Sequence, residues 1–251
     1  MNTAATNQAY PGQNQLLASL PEAENERWMP YLELVHLSLG QVLSESGSAP
    51  EYVYFPTSAI VSLLYLTEDG ESSEIAVVGN DGVVGISLFM GGNATPSQAV
   101  VQSAGQGYRL RAQLLKNEVA LAGPVLHTML RYSQAIMAQV ARTAACNRYH
   151  SIDQLMCRRL LMGLDRLPSD VLTMTQELMA NLLGVRREGV TAAALKLQQA
   201  GVISYKRGQI IVLDRKQLEQ RTQDCFADAK KSARRFVPMQ IPMAMHAPML
   251  S

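Results

Sequence analysis

Apolar positions between residues 28 and 112 fall in short runs of strand type: Glu33–Leu39, Val53–Phe55, Ile60–Leu66, Glu74–Val78, Gln98–Gln102 and Tyr108–Arg111. Turn formers separate these runs at Gly40, Ser46-Gly47-Ser48, Glu68-Asp69-Gly70, Asn80-Asp81-Gly82 and Gly91-Gly92-Asn93. Short strands with regular punctuation predict a sandwich or jelly roll. Ahead of this region, residues 1–27 begin polar and then offer Leu16, Leu17 and Leu20 as a short helix that Pro21 ends.

After Pro124 the period lengthens. Leu126, Leu130, Ser133, Met137, Val140 and Ala144 step by 4, 3, 4, 3 and 4, the heptad pattern of a helix that packs along a partner. The stripe is read as a dimer interface, and it also fits a helix packed on its own domain. Residues 173–200 then read as a helix-turn-helix. Thr175 is placed to cap a first helix over Gln176–Leu183, and Gly184 supplies the positive φ that a sharp turn needs. In the second helix Val190, Ala194 and Leu197 form the inward stripe, which leaves Arg186, Arg187, Glu188 and Thr191 on the N-terminal, outward part. In a recognition helix that part meets base edges in the major groove. The residue types suit the task, because an Arg fork pairs with guanine, Glu accepts from cytosine and Thr touches a thymine methyl. An ordinary helical hairpin with a solvated charged face has the same local pattern. The segment after the second helix favours DNA: residues 204–213 read as two short strands around Lys206-Arg207-Gly208, a wing whose basic tip lies against phosphate.

Charge distribution supports the same reading. The whole chain carries a net +1, yet residues 1–130 hold 12 acidic and 4 basic side chains and residues 131–251 hold 9 acidic and 18 basic. Such a contrast suggests that only the second half meets a polyanion. At 251 residues and 47% hydrophobic content the chain can bury two modest cores. The N-terminus lacks the basic start and apolar stretch of a secretory signal, and no apolar run approaches the length of a membrane span. A cytoplasmic protein without membrane attachment is expected.

Catalytic chemistry finds little support. Cys146, Cys157 and Cys225 contain no C-x-x-C pair and are expected to be reduced, structural thiols. His36, His127, His150 and His246 form no ligand pair, so no metal site and no cofactor is expected. Nucleophile-elbow, Walker and dinucleotide fingerprints are absent.

The expected fold is therefore α+β: an N-terminal double-stranded β-helix of jelly-roll type, a long dimerisation helix and a C-terminal winged helix-turn-helix. The expected parts are 1–27, tail and short helix; 28–118, β-roll effector domain; 119–149, dimerisation helix; 150–222, winged helix-turn-helix; and 223–251, a basic then Met/Pro-rich tail. This order of parts resembles the cyclic-AMP receptor protein/Fnr family of bacterial transcription regulators over roughly residues 15–220. The resemblance is strongest in GVRREGVTAAALKLQQAGVI and in EIAVVGNDGVVGISLFMGGNATPSQAVVQSAG, which has the layout of the family's nucleotide-binding cassette. It implies that Arg187 and Glu188 contact bases and that Gln176 contacts phosphate. Ala192 stands where the family commonly has an Arg, which implies a different target sequence, and Arg186 stands where a capping Ser is common. In the cassette the resemblance places Gly85 or Ile86 where cyclic-AMP-binding members have a ribose-binding Glu. It places Gln98 at or next to the phosphate position usually held by an Arg, with Ser97 beside it in the expected effector pocket. Residues 75–108 carry one charge, Asp81. Burying a phosphodiester anion without a cation costs several kcal/mol, so usual cyclic AMP binding is not expected. The effector stays unassigned, since thiolates for an iron–sulfur cluster are also lacking. Double-stranded DNA and a second copy of the chain are the expected partners, with RNA polymerase a candidate. The alternative is a β-roll ligand-binding or scaffold protein whose basic half binds another protein.

Overall fold

The computed structural model describes residues 10–92, 94–167 and 171–222. The expected tail 223–251 and Cys225 lie outside these residues. Asn14 caps α1 (Gln15–Ala18) by accepting from the Leu16 and Leu17 amides, and its side-chain amide donates to Pro56 O at 2.8 Å and Gly82 O at 2.9 Å. One fully buried asparagine therefore starts a helix and pins it to the β-roll. After α2 (Glu22–Trp28) come β1 (Glu33–Leu37), β2 (Val42–Ser44), β3 (Tyr52–Pro56), β4 (Ile60–Leu66), β5 (Ser72–Val78), β6 (Gln98–Ser103) and β7 (Gly105–Arg111). They form two antiparallel sheets, ordered β1-β7-β3 and β2-β6-β4-β5. Leu37, Val53, Phe55, Val61, Leu110 and Trp28 fill the space between them. Six of the seven strands follow the runs visible in the sequence; β2 is short and polar enough to escape that pattern.

The helix α3 (Ala112–Ala120) leads to α4 (Pro124–Tyr149), which starts with Pro at its first position. Val125, Met129, Tyr132 and Ile136 of α4 are buried against the β-roll core. Ser133 is also buried, and its Oγ donates to Met129 O at 2.9 Å. Val140 packs partly on the same core. The expected seam is thus split: Leu130 and Met137 face solvent, together with Ala141, Ala144 and Ala145, while Leu126 is half-buried. The heptad count misplaced Ser133 because one helix carries two apolar faces here, and spacing alone cannot tell them apart.

His150 and Ser151 join α4 to α5 (Ile152–Leu164), which opens on a Ser151–Gln154 capping box. The second core lies around α5, β8 (Val171–Thr173), α6 (Gln176–Leu183), α7 (Arg187–Gln199), β9 (Ile203–Lys206), β10 (Gln209–Val212) and α8 (Arg215–Arg221), with strand order β8-β10-β9. Cys157, inside this core, is a free thiol that burial pushes up to about 12. Cys146 is disulfide-bonded, which corrects the expectation of three reduced thiols. Among the described residues no helix is long and apolar enough to cross a membrane.

Candidate nucleic-acid interface and effector cassette

The helix-turn-helix is built by local signals. Thr175 Oγ1 accepts from the Leu178 amide at 3.1 Å and starts α6. Gly184 ends it at φ +63, and the Val185 amide turns back to Ala180 O at 3.0 Å. Val190, Ala193, Ala194 and Leu197 bury the inner face of α7. Arg186, Arg187, Glu188 and Thr191 are exposed on its N-terminal half. Arg186 is the N-cap residue and offers no side-chain cap. Thr191 does not stand alone: its Oγ1 lies 2.8 Å from Gln176 Oε1 and 3.0 Å from Arg187 O, so this hydroxyl ties α7 to the start of α6.

The wing is a two-residue hairpin. Lys206 pairs with Gln209, and Arg207 and Gly208 between them sit at φ +50 and +75. Positive φ at both loop positions defines a turn whose twist matches the strands. Lys206 and Arg207 are exposed. Tyr205, just before the tip, donates its hydroxyl to Met174 O at 2.8 Å and anchors the wing beside α6. Burial raises the Tyr205 phenol, and the Arg187 guanidinium opposes that shift.

In the β-roll, β5 runs into the turn Gly79–Val83 and then Gly85, at φ +110, which opens a short 3₁₀ turn over Ile86–Phe89. Ile86 packs on the core. Ser97 is buried, with its carbonyl accepting from Thr95 Oγ1 at 3.1 Å. Gln98 Nε2 donates to Glu45 Oε2 at 2.7 Å. A carboxylate therefore occupies the neighbourhood in which the resemblance would place a cation.

Sequence reasoning missed the contacts that join the two cores. Arg159 of α5 lies 2.8 Å from Glu74 Oε1 of β5, with side-chain exposures of 3% and 7%. Ser62 Oγ donates to the same carboxylate, and Gln102 Oε1 accepts from Arg159. Arg158 beside it donates to Thr143 at 3.2 Å, and burial lowers its guanidinium to about 10. Met162 packs on Ile60 and Val77. These partners are far apart in the chain and occupy different elements, so no local pattern announces them.

An antiparallel β-roll joined by one long helix to a winged helix-turn-helix with an exposed basic edge defines a DNA-binding transcription regulator with an effector domain. Residues 156–221 match the family model of the Crp-like helix-turn-helix domain, and residues 34–120 match that of the cyclic nucleotide-binding domain. The chain belongs to the Crp/Fnr family of transcription regulators. Its fold is that of a Crp/Fnr regulator from Eubacterium rectale, at TM-score 0.66 and 19% identity over 84% of this chain and 99% of that one. FixK2 from Bradyrhizobium japonicum gives 0.64 and 15% identity over 75% and 96%. The c-di-GMP-responsive global regulator CLP of Xanthomonas campestris gives 0.61 and 16% over 77% and 100%. Among curated proteins no sequence matches significantly.

Proposed function

We propose that the chain is a cytoplasmic, homodimeric regulator that reads a two-fold symmetric duplex site and carries out no catalytic step. The observation that carries this reading is a helix-turn-helix followed by a wing, with Arg187 and Glu188 exposed at the start of α7 and Lys206 and Arg207 exposed at the hairpin tip. Two copies joined along the exposed stripe of α4 would present two such units to half-sites about one DNA turn apart. Arg187 and Glu188 read bases in this scheme, Arg186, Gln176 and the Thr175 cap region meet backbone, and Thr191 positions Gln176. RNA polymerase is the partner through which such a bound dimer would act. Selection from a random duplex pool tests the proposal: a two-fold symmetric consensus supports it. Failure to enrich any sequence would favour a scaffold whose basic half binds protein.

Arg187→Ala is expected to weaken binding to the selected site by about 1–3 kcal/mol and relax one base pair of each half-site. Lys206→Ala, at the wing, should weaken all duplexes alike and reduce the salt slope by about one. Fluorescence anisotropy across a salt series separates the two. An Arg187→Ala protein with the parental consensus would show that α7 docks differently.

The cassette is not a usual cyclic AMP site in this reading. Its one charge is an acid, Gln98 is bonded to Glu45, and Ile86 offers no ribose contact. Calorimetry with cyclic AMP should record no binding at micromolar concentrations, and DNA affinity should be unaffected by the nucleotide. Gln98→Arg should recover weak binding at most, because the ribose contact is still lacking. A micromolar dissociation constant for the unmodified protein would overturn this assignment.

A further inference from the structure

The cassette turn Gly79–Val83 is held from two sides. From α4, Tyr132 lies so close to Gly82 that even a methyl group there would meet its ring. From the turn just after α5, Arg166 lies across Gly79, where an added Cβ would fall 2.7 Å from its Cδ. Arg166 Nη2 donates to Asp81 Oδ2 at 2.7 Å and Nε to Oδ1 at 3.2 Å, while Nη1 donates to Met162 O at 3.0 Å. Asp81 Oδ1 also accepts from the Gly79 amide at 3.1 Å. One carboxylate thus shapes the turn and grips the DNA-reading half of the protein. Two helical turns earlier, Arg159 is locked to Glu74 at the other end of β5.

The opposite side of α5 belongs to the second core, where Met156, Leu160, Leu161 and Leu164 pack with Val190 and Leu197 of α7. α5 is therefore a bar with one face in each domain, fastened to β5 and to the cassette turn by two arginines. Close-packed elements transmit displacement rather than absorb it.

We propose that the turn Gly79–Val83, through Asp81 and Arg166, is the coupling that sets the pose of α7, so that the cassette's single charge serves the DNA-reading unit and not a ligand. An occupant of the cassette that shifts this turn must then drag α5 or release it. The forked pair resists that release better than a single-point contact would, because two parallel hydrogen bonds fix orientation as well as distance. The consequence for DNA rests on the dimeric reading above, since two α7 helices read two half-sites only at a fixed mutual spacing.

Asp81→Asn in the full chain tests the coupling with a sign that simple charge cannot imitate. Removing an acid should by itself tighten binding to a polyanion. The coupling predicts the reverse: at least about fivefold weaker binding to the duplex selected with the unmodified protein, the lower end of ordinary coupling between sites. Binding to unrelated duplex should change by less than about twofold, because phosphate attraction needs no fixed spacing. Arg166→Gln should weaken selected-site binding similarly, and the double variant should be no weaker than the worse single one, as expected for two halves of one interaction. Hydrogen exchange in Asp81→Asn should rise both in residues 79–83 and along α5. Selected-site affinity equal to or tighter than the parent's overturns the proposal, as do strictly additive losses. If the parent protein enriches no duplex, the DNA reading has failed independently, and exchange decides the coupling: faster exchange confined to the turn, with α5 unchanged, overturns it.

Discussion

Arg159→Ala is expected to cost about 3–5 kcal/mol of stability, because it leaves the Glu74 carboxylate buried without its cation. The truncated side chain cannot be replaced by solvent easily: Glu74 is only 7% exposed and is roofed by α5. Ser62 would still donate to it, but one neutral hydroxyl does not compensate a buried charge. Gln102 would lose the Arg159 donor as well and keep only the Ser62 hydroxyl, 3.2 Å from its Oε1, which the Glu74 carboxylate shares. Urea unfolding of the full chain reads the loss. The control is the pair Glu74→Leu with Arg159→Met, which removes both charges and fills similar space; it should return most of the stability, since apolar replacements of a buried pair are often neutral or better. A loss below about 1 kcal/mol for Arg159→Ala would mean that water reaches Glu74 and that the pair behaves like a surface one.

The second large effect is expected at the exposed stripe of α4. Met137, 54% exposed, stands with Leu130, 49% exposed, and with Ala141, Ala144 and Ala145 on the side of the helix turned away from the β-roll. In the proposed dimer Met137→Glu sets two like charges against each other in an apolar seam, and neither finds a partner. The variant should sediment as a monomer and lose selected-site binding, while its β-roll core, which Met137 does not enter, stays folded. Ser133→Glu makes the comparison informative. Ser133 is 3% exposed under its own domain, so that change should damage the fold instead of the association. An unmodified protein already monomeric at micromolar concentration would remove the basis of this proposal.

Much of the architecture was legible because it depends on neighbours in sequence. Strand period, turn residues, the Thr175 cap, Gly184 and the Lys206-Arg207-Gly208 tip each act over a few residues, and the helix Gln176–Leu183 and the wing hairpin form where these signals place them. The charge contrast between the two halves is likewise a property of the chain alone. Which face of α4 turns inward was not legible, because Leu130 and Ser133 are equally consistent with a heptad and only the sheet beneath the helix distinguishes them. Nor was the Cys146 disulfide, since cysteine spacing states no partner. Asp81 read as an isolated turn residue in a nearly uncharged cassette, and Arg159 and Arg166 as part of a basic half. Their attachment to Glu74 and Asp81 follows from α5 lying across β5, a long-range packing that brings together groups 85 residues apart. Local hydrogen bonding and hydrophobic period are written residue by residue; burial, and with it the pairing of charges that burial makes obligatory, exists only once the chain has closed on itself.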